Sequence, residues 1–344
     1  MFFSILLTVM VWFSRISMVM NSGKENEIFR SKNLSQSIRK MKLQIWNGWN
    51  VSTIYCLSIL LVYPFVLALF LTAVKPNPEA IKNTAEMGGP LPYRQWEYAQ
   101  VSFLVCLTLD FISWLWTVDR DKSRLFLFVV VINGLSAISY GLLAAGIGPV
   151  ILDSRGKRFV VMRYLHWLFT TPAMLYVYSL VCSLSWKELA IAMCMEFICI
   201  STGFLASVLT LPYDLLALFI SCVSFYFVVC ALDKMLMLAI DESAPENGIT
   251  IGARRKALRG ARFFIIGTWI AMPTVWFLAY FNLISFLTEE TLYEILDFAT
   301  KAGISSLILH SSIHNWPVNC RMFQAKPMLT QVGFQNSAKP MKRK

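Results

Sequence analysis

Charge is scarce in this sequence. Charged side chains make up 15% of its 344 residues, against about 25% in an ordinary soluble domain. Alternation is also missing: the apolar residues, 57% of the chain, fall in continuous blocks of about 20. That length suits helices crossing a bilayer, and the lack of a two-residue period excludes a transmembrane β-barrel. No Cys-x-x-Cys pair occurs among the eight cysteines. Seven of them (Cys56, Cys106, Cys182, Cys194, Cys199, Cys222, Cys230) sit inside apolar blocks, which reads as small buried thiols and argues against a metal centre. No repeat of 20 to 50 residues is present, which excludes solenoids. The net charge of +11 is confined to loops and tails, so it argues for topology and against a nucleic-acid partner.

What is present is an all-α membrane protein. Apolar runs at 49–74, 98–118, 125–152, 159–184, 188–210, 212–240, 258–284 and 288–313 predict eight spans. Residues 1–20 are apolar but broken by Arg15, lack a basic start or a small-residue cleavage site, and read as an interfacial segment. Four regions follow: 1–48, an apolar segment and basic region; 49–97, a helix and loop; 98–313, a seven-helix domain; and 314–344, a basic tail. With the N-terminus inside, inner intervals hold 21 Lys and Arg and outer ones six, which predicts both termini in the cytoplasm of an unspecified membrane. The cluster Arg254, Arg255, Lys256, Arg259 and Arg262 weighs most.

Ionisable residues at bilayer depth are costly and mark candidate sites. They are Asp110, Arg163, His166, Glu196, Glu294, Asp297 and Lys301. Asp297 and Lys301 are four apart, on one helix face, with Glu294 a turn earlier. An amine held away from water releases its proton more readily and can condense with an aldehyde. Two readings of the last span stand level: an ion pair locking helices, or a lysine carrying a carbonyl cofactor with Asp297 as counter-ion. Aromatic residues on other spans tip the balance. Trp269 and Trp276 lie two turns apart around Pro273, and Trp167 stands beside Thr170, Thr171 and Pro172. Rings on several spans around one deep lysine suggest a flat apolar chromophore.

The stretch RYLHWLFTTP (163–172) resembles the third-helix motif of microbial (type I) rhodopsins, R-Y-x-D-W-L-F-T-T-P. Leu296 to Lys301 resembles their L-D-x-x-x-K, WIAMPTVW their sixth-helix W-x-x-Y-P-x-x-W, and Glu196 to Gly203 their fourth-helix acid followed by T-G. The likeness covers 98–313. It implies seven helices around retinal held as a protonated Schiff base on Lys301. By position it implies Asp297 as counter-ion, Arg163 as gating arginine and Thr170 as hydrogen-bonding neighbour. Trp167, Trp269 and Trp276 would sandwich the polyene, and Thr171 with Glu196 would join two helices. Tyr140, Cys199, Gly203, Ser221, Cys222, Phe225, Met272 and Pro273 would line the pocket.

Departures from the pattern bear on output. His166 stands where outward pumps keep their proton-accepting aspartate; if neutral, it removes a negative charge and predicts red-shifted absorption. Val177 fills the position of the pump donor. Met272 replaces a tyrosine that bonds the Asp297 equivalent, which predicts a less satisfied carboxylate that Glu294 compensates. The expectation is a sensory photoreceptor, not an enzyme: the span at 49–74 resembles the layout of enzyme-linked rhodopsins, yet only a 31-residue basic tail follows residue 313, so output passes through a cytoplasmic partner. A light-gated channel, with Asp110, Asn133, Glu196 and Glu294 in its pore, stays open as the alternative, and a pump using His166 or Glu294 ranks below it. The bilayer and a second copy of the chain are the other expected partners.

Overall fold

The computed structural model describes residues 51–74, 90–182, 185–241 and 249–313. The segment 1–20 and the basic intervals 21–48 and 314–344 lie outside them. Eight helices are described: α1 (Val51–Ala73), α2 (Tyr93–Trp116), α3 (Arg120–Ala144), α4 (Val161–Cys182), α5 (Trp186–Val208), α6 (Tyr213–Asp241), α7 (Ile249–Tyr280) and α8 (Phe286–Ile313). Six of them are long and apolar enough to cross a membrane by length and composition alone. The other two, α4 and α8, carry Arg163, His166, Asp297 and Lys301. α4 is the sheltered one, with nearly every described side chain buried, whereas α8 buries one face, which carries Glu290, Asp297 and Lys301.

One apolar run is divided where the sequence reads as a single span. The run 125–152 leaves helix at Ala144. Gly146, with φ of +69°, takes the left-handed conformation that closes a helix C-terminus, and Ile147 N donates back to Leu142 O at 2.9 Å. Pro149 lacks the N–H that further helix needs. The chain then forms β1 (Val150–Leu152), paired antiparallel with β2 (Arg158–Val160) in the register Val150↔Val160. This hairpin caps one end of the bundle. Arg155 Nη1 donates to Tyr280 O at 3.2 Å, Lys157 Nζ donates to Ala279 O, and Ser154 N donates to Ser207 O at 3.2 Å. Cations thus sit on the C-terminal carbonyls of α7, where the helix dipole favours them.

α1 adds an eighth helix against α3 and α4. Its buried stripe is Tyr55, Cys56, Ile59, Tyr63, Val66 and Phe70, at helical spacing, while Leu60, Leu61 and Phe65 face outward. Tyr63 shares a 2.7 Å hydrogen bond with Ser139 and meets Phe169 edge-on at 5.3 Å; Tyr55 meets Tyr176 at 5.3 Å. Lipid is as apolar as these side chains, so packing and the polar bond hold α1 in place.

α2 and α8 run parallel in a steady register. Trp96 bonds Glu290 at 3.2 Å, Phe103 meets Phe298 at 5.8 Å, and Asp110 bonds Ser305 at 3.1 Å. The contacts recur every two turns along both helices, a spacing that keeps one face toward one partner.

Candidate functional site: a lysine–aspartate pair beside an apolar cavity

Lys301, Asp297 and His166 are among the most buried side chains of the molecule, at 1%, 2% and 1% exposure. Helical spacing on α8 stacks Lys301 over Asp297, and Lys301 Nζ donates to Asp297 Oδ1 at 2.5 Å. The amine also lies 5.2 Å from the centre of the Phe103 ring. Two groups from α4 close around the carboxylate: Trp167 Nε1 donates to it at 3.0 Å, and His166 Nε2 lies 3.3 Å away. Asp297 is therefore well satisfied, contrary to the expectation drawn from Met272. The α4 indole, with the Lys301 amine, takes over the bonding that a tyrosine at 272 would supply. Glu294 forms no bond to Asp297, and its Oε1 is buried without a partner among the described residues.

Geometry also constrains the proton on His166. Nδ1 lies 3.2 Å from Met162 O, which can only accept, so a bond there requires Nδ1–H. Nε2 then faces Asp297 Oδ2 at 3.3 Å.

Arg163 lies one turn before His166 on α4 but serves other carboxylates. It pairs with Glu289 at 3.2 Å and with Glu290, and its guanidinium carbon is 3.9 Å above the Tyr293 ring. Sequence reasoning missed both glutamates and Tyr293. The signal was there: Glu290, Glu294, Asp297 and Lys301 occupy one α8 face at intervals of four, three and four. Arg163 and His166 are thus tolerated by specific partners on α8, and neither lines the cavity.

The cavity has a volume of about 360 Å³, within the range of small-molecule sites, about 300–1,000 Å³. α4 contributes Trp167 and Thr171, α5 Glu196, Cys199 and Gly203, α6 Ser221, Cys222 and Phe225, α7 Trp269, Met272, Pro273 and Trp276, and α8 Asp297. Lining residues that the sequence did not single out include Tyr164, Met174, Leu218, Phe277, Tyr293 and Thr300. Gly203 matters for the α5–α6 approach, since a Cβ there would lie 3.3 Å from Ser221 Oγ. Pro273 cannot donate to the carbonyl of Trp269, which weakens α7 beside the cavity. Trp276 Nε1 donates to Ser207 Oγ at 3.3 Å. Thr171 Oγ1 donates to Trp167 O at 2.8 Å and is within bonding reach of Glu196.

Three of the expected pocket residues border the cavity without lining it. Lys301 is turned onto Asp297. Tyr140 stacks on Phe103 at 5.5 Å and meets His166 at 5.8 Å. Thr170 is buried with its hydroxyl unpartnered among the described residues.

Fold and site together define a multi-pass helical membrane protein in which a buried amine, paired with one carboxylate, adjoins a cavity walled by aromatic rings. That is a fit for an aldehyde of a long apolar polyene: an amine to attach it, a counter-charge beside the attachment, and tryptophans on either side. Residues 93–315 match the family of bacteriorhodopsin-like proteins, and the chain belongs to that family of microbial rhodopsins, which hold retinal through a Schiff base to a lysine. It is 24% identical over 198 residues to sensory rhodopsin-2 of Haloarcula vallismortis, covering 57% of this chain and 80% of that one. It is 26% identical over 199 residues to bacteriorhodopsin-II of Haloarcula marismortui, covering 56% and 77%. Among solved structures, the transmembrane domain of Salpingoeca rosetta rhodopsin phosphodiesterase superposes with a TM-score of 0.66 at 21% identity, over 75% of this chain and 97% of that one. Thermophilic rhodopsin from Rubrobacter xylanophilus does so at 0.56 and 22%, over 68% and 99%.

Proposed function

We propose that this chain is a sensory photoreceptor with retinal on Lys301, signalling through a conformational change to a partner. The carrying observation is the 2.5 Å Lys301–Asp297 pair, sealed by Trp167 and His166 and adjoining the aromatic cavity. Bound retinal supplies a double-bond isomerisation driven by light. The chain supplies the rest. Lys301 is the attachment point. Asp297 holds the compensating charge and is fixed in direction by the Trp167 indole. Trp269 and Trp276 form walls that restrict where the polyene fits. Arg163, engaged with Glu289 and Glu290, ties α4 to the first turn of α8.

Two features favour a sensor over a pump. His166 occupies the acceptor position, and Val177 on α4 is fully buried and has no proton to give. Relatives named as a sensory rhodopsin and as a bacteriorhodopsin stand at similar identity, so the reading rests on these residues. A domain division at 49–97 and 98–313, with α1 as an accessory helix, belongs to the same proposal.

The test is absorption and photocurrent on one preparation supplied with retinal. The expected result is a visible band in the parent that is lost in Lys301→Ala, together with a slow photocycle and no current under voltage clamp. Current that reverses with the ion gradient would make it a channel, and current at zero driving force would make it a pump. A band surviving in Lys301→Ala would overturn the attachment itself.

A further inference from the structure

A second ionisable cluster lies on the far side of Lys301 from Arg163. Asp110 on α2 is buried at bilayer depth. Its Oδ2 is 2.6 Å from the Asn133 amide on α3 and accepts from Ser305 Oγ on α8 at 3.1 Å. Every interaction that the described residues make with Asp110 is polar and uncharged; no cation pairs with it. Cys106, a turn earlier on α2, is the other titratable group facing it. An ionised carboxylate in such surroundings is expensive.

The Asn133 contact carries a further clue. At 2.6 Å it is short for N–H···O, which clusters near 2.9 Å, and ordinary for O–H···O, near 2.7 Å. Amide oxygen and nitrogen are interchangeable by shape. Turned over, Asn133 would present Oδ1, now buried without a donor, to a proton on Asp110. Ser305 then links this group to the attachment site. Its hydroxyl lies 3.1 Å from Asp110 Oδ2, 3.3 Å from Lys301 O and 3.4 Å from the Asn133 amide atom that faces Asp110, and it has one proton to give.

We propose that Asp110, with Asn133 and Ser305, is a proton-holding site that responds to light: Asp110 carries a proton onto Asn133, and displacement of α8 at Lys301 redirects the Ser305 hydroxyl and so changes the bonding of the acid. The second half rests on the retinal reading above; the first half does not. It gives α2 and α3 a link to the chromophore lysine, about 10 Å along α2 from the Phe103 ring under the amine.

Infrared spectroscopy in lipid bilayers tests both halves. In aldehyde-free protein kept dark, a C=O band of a protonated carboxyl is expected in the parent. It should be absent in Asp110→Asn, shifted in Ser305→Ala, and moved by carbon-13 aspartate labelling of the unmutated chain should Asp110→Asn fail to fold. Loss of carboxylate bands instead would overturn the proton assignment. With retinal bound, the light-minus-dark spectrum should show that same band moving; a band unmoved by light would overturn the coupling. A parent that forms no visible pigment would remove the retinal reading while leaving the dark measurement standing.

Discussion

His166 faces an oxygen from each ring nitrogen. Met162 O, which can only accept, lies 3.2 Å from Nδ1, and Asp297 Oδ2 lies 3.3 Å from Nε2. Nitrogen NMR of the three histidines, with His166→Asn for assignment, should therefore show Nδ1 of His166 protonated in the dark; a bare Nδ1 would contradict the geometry. Replacing the imidazole by a carboxylate puts negative charge beside the protonated attachment site and stabilises its ground state. His166→Asp is expected to absorb at shorter wavelength than the parent, and an unchanged band would mean that residue 166 does not sense the chromophore. Arg163 poses a different problem, because it neutralises two carboxylates that are themselves buried or nearly so. Removing one partner of a buried pair costs about 3–5 kcal/mol, since it strands charge. Arg163→Met should lower the midpoint of thermal bleaching accordingly. Adding Glu289→Gln and Glu290→Gln should restore part of the loss, and no recovery would show that the arginine acts through Tyr293 packing instead.

At the level of elements, the helices themselves were legible. A continuous apolar run of bilayer length has few alternatives to a helix, and each of the eight runs overlaps one, though several helices start earlier than the run. The Lys301–Asp297 pair was legible for the same reason, as both residues share one helix. Contacts between helices were not. Arg163 and Glu290 are 127 positions apart, and no spacing rule connects them. The β-hairpin was hidden because Val150, Ile151 and Leu152 extend an apolar run, and only Gly146, Gly148 and Pro149 hint at the break. That hairpin has a job that can be measured. Arg155 and Lys157 donate to the last carbonyls of α7, and Arg155 also lies 3.7 Å over the Tyr280 ring. Each cation at a helix C-terminus stabilises it by about 0.3–1 kcal/mol. The double variant Arg155→Ala and Lys157→Ala should leave pigment colour unchanged and speed amide exchange in the final turn of α7 roughly 3- to 30-fold, by that energy. Unchanged exchange would mean that the turn is held by Trp276 and Tyr280 stacking alone.

For the whole molecule, eight helices crossing in turn would return the chain to the side on which it started, and helix length shows which end projects. α6 and α7 have 29 and 32 residues, about 43–48 Å of helix at ~1.5 Å per residue, against a hydrocarbon core of about 30 Å. The C-terminal end of α7 meets the β-hairpin and is tied to the first turn of α6 by the bond from Tyr280 Oη to Asp214, so the excess of both helices projects where Asp241 and Ile249 lie. On that projection Lys256 and Arg259 are exposed, and Arg262 is engaged by Asp233 at 2.6 Å. The 21 basic residues on one side of the predicted topology against six on the other predict that the projecting end faces the cytoplasm. A membrane-impermeant thiol reagent decides the matter. In intact cells Ser154→Cys, in the exposed hairpin turn, should be labelled at once, whereas Lys256→Cys should be labelled only after permeabilisation. Cys320, in the basic tail, is replaced by serine in every variant, and the other seven cysteines, inside apolar blocks, should supply little background in either state. The reverse pattern would invert the molecule. It would place Arg163, Glu289 and Glu290 on the cytoplasmic side and the Asp110 cluster on the outer one, and any signalling partner would then have to meet the hairpin end.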